Sequence, residues 1–251
     1  MHANENQSMA ILAKAASFPG VRAGIARLEA VLKGLSYSAE TEGDWNTSHY
    51  EDDAVQWLEA AESVLVLGLH HPEDDLRLDW WEKGNTWGNR RLIEISKQLQ
   101  TWMQDELGLR AQPLPYHLEK GGLFLKDAAV LSGLGRIGRN NLLLHPEWGP
   151  RIRMRSLLIE GNLSTTAALT GALPCDACEE YCIKACPQAA FPGGVYSRPR
   201  CLVQMNFDRE HPVPEGAIGP DGKPNPVIQF CRECELACPV GSDITTSSSS
   251  L

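Results

Sequence analysis

Apolar residues in the first third of the chain either recur at helical spacing or form short continuous runs. Residues 8–34 predict two packed helices separated by Pro19-Gly20. The apolar positions that support these helices are Ile11, Ala15, Ile25, Leu28 and Leu32. Residues 52–62 continue as a predicted helix, and the run Ser63-Val-Leu-Val-Leu-Gly-Leu69 predicts a buried strand.

Helices and strands are predicted to alternate over the next hundred residues. Asn89 is a candidate N-cap for a helix that closes at Gly108, with an apolar face formed by Leu92, Ile95, Leu99, Trp102 and Leu107. A helix over 125–131 and strands near 141–144 and 153–160 follow. We therefore predict an α+β chain with an α/β domain over residues 1–165, a small second domain over 166–242 and a disordered tail over 243–251.

Composition narrows the functional classes. The 251 residues are 43% hydrophobic, which suffices for a packed core, and the net charge is −9. Such a charge disfavours broad nucleic-acid binding. The sequence has neither a signal peptide at its N-terminus nor an apolar run long enough to cross a bilayer, so we expect a cytoplasmic protein without membrane association.

Eight cysteines lie in the last third of the chain, and seven of them form two runs. The first run is Cys175-x2-Cys178-x3-Cys182-x3-Cys186-Pro187, and the second is Cys231-x2-Cys234-x3-Cys238-Pro239. Cys201 completes two sets of four. Disulfides would need an oxidising compartment, structural zinc seldom uses such runs followed by proline, and scattered core cysteines would not fall into register. The spacing favours two 4Fe–4S clusters.

The fourth cysteine of such a run usually ligates the other cluster. One cluster is therefore assigned to Cys175, Cys178, Cys182 and Cys238, and the other to Cys186, Cys201, Cys231 and Cys234. Three residues, rather than the usual two, separate Cys178 from Cys182, so this loop must bulge. The carboxylates of Glu179 and Glu180 are expected to lower the potential of the adjacent cluster, because reduction adds negative charge.

The loop Gly133-Leu-Gly135-Arg-Ile-Gly138 matches the dinucleotide-binding fingerprint letter for letter. A true fingerprint joins a strand to a helix, whereas this loop follows a predicted helix and precedes a predicted strand. The context argues against nicotinamide binding. The glycines still indicate that the backbone passes close to another chain segment or to a flat ligand.

The segment from Lys126 to Leu144, followed by Glu147-Trp-Gly-Pro-Arg151 and the two cysteine runs, resembles the epoxyqueuosine reductase family over roughly residues 60–240. The resemblance implies a nitroreductase-like α/β domain that holds cobalamin, fused to a ferredoxin-like dicluster domain. Gly133, Gly135 and Gly138 would then let the backbone approach the corrin. The side chains that would reach the corrin periphery are Arg136, Arg139 and Asn140.

The sequence also departs from this family. Members that reduce epoxyqueuosine in tRNA carry a helical-repeat extension after the second cysteine run, whereas this sequence stops soon after Cys238. A short paralogue is therefore expected, with tRNA an unlikely substrate. The family places an acidic proton donor shortly before the glycine loop, and Glu119 or Asp127 is the candidate here, although Asp127 also suits an ordinary helix surface.

Other side chains have both a functional and a structural interpretation. His70, His71, His117 and His145 suit ligand binding or proton transfer, or ordinary strand ends and loops. The aromatic loop around Trp80, Trp81 and Trp87 suits stacking on a macrocycle or surface packing. The alternating residues Arg151, Arg153 and Arg155 suit anion binding or pairing with the many acids.

We therefore expect a reductase that passes electrons from two 4Fe–4S clusters to a corrinoid or to a small-molecule substrate in the N-terminal domain. A ferredoxin or flavodoxin is the expected electron donor, and a homodimer is an open alternative. The other functions considered are a non-catalytic electron-transfer partner without cobalamin and a protein that reduces cobalamin for delivery.

Overall fold

The computed structural model describes residues 2–40, 51 and 53–242. The helices in these ranges are α1 (His2–Ala16), α2 (Leu28–Leu32), α3 (Leu35–Glu40), α4 (Trp87–Leu107), α5 (Leu125–Leu131), α6 (Tyr181–Lys184), α7 (Arg198–Glu210) and α8 (Glu233–Leu236). The strands are β1 (Val21–Arg27), β2 (Ala61–His70), β3 (Trp81–Glu82), β4 (Asn85–Thr86), β5 (Ala111–Pro113), β6 (Arg136–Ile137), β7 (Leu143–Leu144) and β8 (Ile152–Glu160).

A four-stranded sheet with the order β1-β2-β8-β5 forms the main core. β1 pairs antiparallel with β2, so that Val21 lies opposite Leu69, and β5 pairs antiparallel with β8. The seven residues from Ser63 to Leu69 are all buried. A strand without polar alternation is expected where both faces of a sheet are covered. In agreement, α1 and α5 both pack on β1.

The helix α4 supplies much of the apolar core. Leu92, Ile95 and Leu99 recur at helical spacing, and all are buried against residues of β2 and β8. The predicted face is confirmed, but the helix begins at Trp87, and Asn89 lies in its first turn. The N-cap function falls to Thr86, whose hydroxyl accepts the backbone N–H of Asn89 at 3.1 Å.

One predicted helix is wrong, and another is correct only over Leu28–Leu32. Residues 21–27 form β1, because Val21, Ala23 and Ile25 alternate and pair with the apolar strand β2. The predicted helix over 52–62 is an irregular segment that leads into β2, although Asp52 itself lies outside the described residues. Its backbone bonds to other segments, as in the N–H of Val55 that donates to Lys120 at 3.0 Å, rather than within a helix.

The remaining predicted elements agree with the structure. The helix over 125–131 is α5, and the predicted strands correspond to β7 and β8. Residues 211–226 are largely irregular, and the bridge between Val213 and Val227 closes this loop at its base. The predicted disordered tail, 243–251, lies outside the described residues. None of the helices in the described ranges combines the length and apolar composition needed to cross a bilayer.

The chain divides into two compact units. The sheet unit comprises Met1–Leu69, Leu92–Arg136 and Arg153–Thr170. The cysteine unit comprises His70–Arg91, Ile137–Ile152 and Gly171–Leu251. The predicted division at residue 165 lies near the last of these boundaries. The cysteine unit also includes two earlier segments, because residues 70–91 and 137–152 make their contacts with the cysteine-bearing region.

Candidate metal centre

Short helical segments of the cysteine unit carry four of the eight cysteines. Cys175 lies in a 3-10 turn, and Cys182, Cys201 and Cys234 lie in α6, α7 and α8. α6 and α8 pack against each other, and each is followed by a Cys-Pro dipeptide. This arrangement brings the two cysteine runs together.

The first group of thiols is identified by the side chains that raise the pKa of Cys182. Burial raises the pKa of Cys182, and the nearby thiols of Cys238, Cys175 and Cys178 raise it further. Two of these thiols, Cys175 and Cys178, also raise the pKa of Cys238. The structure thus brings Cys238, the last cysteine of the second run, to the first three cysteines of the first run.

The second group forms around Cys234. Burial raises the pKa of this thiol to about 12, and Cys231, Glu235, Cys186 and Cys201 act in the same direction. Cys186, the last cysteine of the first run, therefore lies with the second run. The thiols that raise the pKa of Cys182 are Cys175, Cys178 and Cys238, whereas those that raise the pKa of Cys234 are Cys186, Cys201 and Cys231.

Backbone amides are directed at several of these sulfur atoms. The N–H of Arg139 donates to Cys175 Sγ at 3.5 Å, and the N–H of Ala190 donates to Cys186 Sγ at 3.3 Å. The backbone N–H groups that lower the pKa of the Cys182, Cys231 and Cys238 thiols are those of Ile183, Glu233 and Val240. Such donors stabilise the thiolate form, which is the form that ligates iron.

The cysteine groups can be compared with the ligands that a cluster needs. Among the described residues, no group of three or more His, Cys, Asp or Glu side chains that could hold a metal ion is found. A 4Fe–4S cluster takes one thiolate at each of its four irons, so its ligands surround a cube and do not meet at a point. Two groups of four thiols with amide donors fit that requirement.

The extra residue between Cys178 and Cys182 coincides with an unusual backbone conformation. Glu180 adopts a left-handed conformation with φ 58° immediately before α6. Its carboxylate pairs with Arg139, and the Glu179 carboxylate lies 3.6 Å from Lys184 Nζ. Each carboxylate thus has a cationic partner, which offsets part of the negative charge beside the first cysteine run.

A chain of buried and partly buried ionisable groups leads from His71 to Glu235, which is adjacent to Cys234. His71 is fully buried, and its Nδ1 lies 2.9 Å from Asp79 Oδ1. Asp79 Oδ2 lies 2.7 Å from Arg232 Nη1, and Arg232 Nη2 lies 2.6 Å from Glu235 Oε1. No sequence pattern identified Asp79, Arg232 and Glu235 as part of the site. The positions of Arg232 and Glu235 next to the candidate ligands Cys231 and Cys234 could have indicated these two residues.

Two of the other predicted histidines, His70 and His145, and Trp81 of the aromatic loop contact neighbouring protein groups. The ring of Trp148 stacks between His70, at a centroid distance of 5.0 Å, and His145, at 4.3 Å. Burial lowers the pKa of His70, and the neighbouring His71 lowers it further. In the aromatic loop, Trp81 forms an antiparallel bridge with Ile228.

The glycine loop contacts protein at most of the positions that the resemblance assigned to a corrinoid. A Cβ on Gly133 would lie 2.3 Å from the Ala167 carbonyl oxygen, and one on Gly138 would lie 2.7 Å from the Leu144 side chain. Gly135 is buried and Arg136 is half-buried.

Arg139 and Asn140, the last two residues that the resemblance assigned to a corrinoid site, contact the cysteine-bearing segments. Arg139 contacts Glu180 and Cys175, as described above. Asn140 is buried, donates from Nδ2 to the Cys234 carbonyl at 3.2 Å and accepts the N–H of Leu142 at 3.2 Å. Both residues are thus engaged by the cysteine-bearing segments.

The two candidate proton donors occupy different environments in the sheet unit. Both carboxylate oxygens of Asp127 are engaged by Ser36, which donates its N–H at 2.9 Å and its hydroxyl at 2.8 Å. Glu119 lies in the 3-10 turn Leu118–Lys120, half-exposed, with Oε1 3.3 Å from His117 Nδ1. Glu119 is therefore the more accessible of the two acids.

The three alternating arginines lie in different units, Arg151 in the cysteine unit and Arg153 and Arg155 in the sheet unit. Arg151 contacts the cysteine-bearing segments of its own unit, and Arg155 donates to the Leu114 carbonyl at 3.1 Å in the sheet unit. Arg151 also pairs with the Glu73 carboxylate, which agrees with the interpretation that these arginines pair with acids.

Known proteins provide a sequence relationship and a fold. No family model matches the chain. An epoxyqueuosine reductase from Synechococcus sp. (strain CC9605) is 29% identical over 229 residues, which cover 85% of this chain and 66% of the relative. The chain thus spans just under two thirds of that relative's length.

Solved structures share the fold at lower identity. An epoxyqueuosine reductase bound to an epoxyqueuosine-modified tRNA-Tyr stem loop matches with a TM-score of 0.64 at 15% identity, over 95% of this chain and 66% of that one. A reductive dehalogenase, described in terms of B12-dependent dehalogenation, matches with a TM-score of 0.57 at 17% identity, over 94% of this chain and 32% of that one.

These matches confirm the resemblance that the glycine loop and the cysteine runs indicated. The mixed α/β architecture is also that of the solved structures. The chain is similar in sequence and in fold to epoxyqueuosine reductases, over about two thirds of their length.

Proposed function

We propose that this chain is an iron–sulfur reductase with two 4Fe–4S clusters. The observation that carries the proposal is the exchange of the last cysteine between the two runs. Cys238 lies with Cys182 of the first run, and Cys186 lies with Cys234 of the second. Two-cluster ferredoxins exchange their fourth ligands in the same way.

The residues of the chain would prepare the thiolates and position them. Backbone N–H groups at Arg139 and Ala190 donate to ligand sulfurs and so favour the charged thiolate. The largely buried ion pair of Arg232 and Glu235 would fix the segment between Cys231 and Cys238. When bound, such clusters supply single-electron transfer, and their potentials depend on the hydrogen bonds and charges around them.

The electron acceptor is proposed to be a small molecule or a corrinoid bound in the sheet unit, which would be nitroreductase-like, with the cysteine unit as its ferredoxin-like partner. The relationship to proteins named as reductases supports a reduction. Glu119 would hold the proton that the reduced product takes up, because its carboxylate is accessible and adjacent to His117.

A second candidate is an electron-transfer protein that binds no corrinoid. The contacts of Arg139 and Asn140 favour this alternative, because two of the six residues assigned to a corrinoid are engaged by the cysteine-bearing segments. Gly133 likewise packs against the Ala167 backbone.

The partners follow from this chemistry. A reduced one-electron carrier such as a ferredoxin or flavodoxin would supply electrons. We propose that tRNA is not the substrate, because a net charge of −9 repels a phosphate backbone. A homodimer remains the alternative to a monomer.

The test begins with anaerobic purification and reconstitution with iron and sulfide. The proposal expects about eight irons per chain and a reducible signal in electron paramagnetic resonance. Titration with cobalamin then separates the two candidates, since a shift of the cobalt absorption bands supports the corrinoid enzyme and unchanged bands support the electron-transfer protein. A chain without iron–sulfur signals refutes both. Retention of an epoxyqueuosine-modified tRNA stem loop would contradict the proposal on tRNA.

A further inference from the structure

The guanidinium of Arg151 is buried in the cysteine unit, on the loop that carries Cys238. Arg151 is 1% exposed. Its Nη1 donates to the Val240 carbonyl at 2.9 Å, and its Nη2 donates to the Cys238 carbonyl at 3.0 Å and to the Leu236 carbonyl at 3.3 Å. Nη2 also lies 3.1 Å from the Ser242 hydroxyl oxygen. One side chain thus holds the backbone before, at and after Cys238.

The backbones of the two segments also meet directly. A Cβ on Gly149 would lie 1.8 Å from the Val240 carbonyl oxygen, and one on Gly241 would lie 2.4 Å from the Trp148 carbonyl carbon. Both glycines have positive φ, so a larger residue would be strained as well as obstructed. The contacts of Arg151 therefore belong to a closely packed junction between two segments about 90 residues apart.

The charge of Arg151 is only partly neutralised. Glu73 forms an ion pair with Nη2, but its side chain is 43% exposed, so water screens part of its charge. The neighbouring acceptors on the Cys238 loop are carbonyls and a hydroxyl, which carry no charge. A buried cation thus lies beside a proposed cluster ligand, where its field is weakly screened.

We propose that Arg151 is a positioning residue for Cys238, which the second cysteine run contributes to the cluster of the first run. Its charge raises the reduction potential of that cluster. Reduction adds one electron, taken from the reduced carrier, and with it one negative charge that the guanidinium stabilises. This inference rests on the proposed function.

The experiment uses the full chain, reconstituted anaerobically, with three measurements: iron per chain, the resonance signal after dithionite reduction, and the midpoint potential of each cluster. Arg151→Met removes the charge and the hydrogen bonds, and Arg151→Lys keeps the charge. Arg155→Met is the matched control, because Arg155 is also buried and also donates to a backbone carbonyl. Glu73→Gln removes the counter-charge.

Arg151→Met is expected to lose about half of its iron, specifically the signal that a Cys182→Ala variant also lacks. Arg151→Lys should restore that signal in part, at a potential close to the wild-type value. Glu73→Gln should keep the iron and shift the potential of the same cluster upward. Arg155→Met should leave both clusters unchanged.

Three results would overturn the inference while the proposed function stands. They are unaltered iron and potentials in Arg151→Met, equal loss of both signals in that variant, and an unshifted potential in Glu73→Gln. If Arg151→Met does not fold, Arg151→Lys and Glu73→Gln decide. A wild-type chain without clusters would overturn the proposed function itself, and the inference with it.

Discussion

Two double variants test how the eight cysteines are shared between the clusters. Cys186 is the last cysteine of the first run, yet its thiol raises the pKa of Cys234 in the second run. If Cys186 ligates the second-run cluster, replacing it together with Cys231 damages one cluster. Replacing it together with Cys182 damages both. Ligation within each run predicts the opposite pattern.

The expected magnitudes follow from four irons per cluster. Cys186→Ala with Cys231→Ala should retain about four irons per chain, and Cys186→Ala with Cys182→Ala should retain almost none. Alanine is preferred to serine because a hydroxyl can replace a thiolate as a ligand. Iron and sulfide are measured after anaerobic reconstitution, and circular dichroism checks that each variant is folded.

The two double variants control for each other, since each removes two thiols from the same unit. Equal iron contents in two folded variants would show that loss of iron reflects general damage. About four irons in the Cys186 and Cys182 variant, with none in the other, would refute the exchange of ligands and leave each run to bind its own cluster.

Three further predictions concern stability. Glu82 is buried and accepts three hydrogen bonds, and that from Asn225 Nδ2, at 2.6 Å, is the main cause of its lowered pKa. Glu82→Gln should cost about 2 kcal/mol in denaturant unfolding at neutral pH. This difference should shrink as the pH falls from the ordinary glutamate value of 4.5 through the lowered pKa of Glu82, because protonation of the folded carboxyl removes the stabilisation. Asp127→Ala should cost about 1 kcal/mol in thermal unfolding by removing the acceptors of Ser36, whereas Asp127→Asn should cost less and retain any reductase activity. Leu67→Ala, at a fully buried position of β2, should cost about 3 kcal/mol in denaturant unfolding. Values near zero would contradict the assigned contacts.

The local sequence pattern was sufficient to predict an element where the element's own apolar residues determine its structure. The apolar run of β2 and the helical spacing of Leu92, Ile95 and Leu99 correctly predicted a buried strand and a packed helix. The pattern failed at β1, because Ile25 lies at helical spacing from Leu28 while also alternating with Val21. Pairing with β2 decides between the two periods, and that pairing depends on residues about 40 positions away.

The candidate site divides in the same way. The count and spacing of the cysteines indicated two sets of four, because ligand geometry constrains local sequence. The roles of Asp79, Arg151 and Arg232 depend on partners that are remote in sequence or hidden among many charged residues. Arg151, for example, contacts residues 85 to 91 positions later. No local spacing encodes such contacts, so only the folded chain identifies them.

The segment from Arg139 to Arg151 connects these observations. Its Arg139 N–H donates to Cys175, its Asn140 donates to the Cys234 carbonyl, and its Arg151 donates to the Cys238 carbonyl. These three cysteines come from both proposed clusters. Since the segment belongs to the motif through which the chain resembles its relatives, the polar residues of that motif make contacts with the cysteine-bearing segments that require no corrinoid. Variants in this segment are therefore informative about a corrinoid only if both clusters are first shown to be intact.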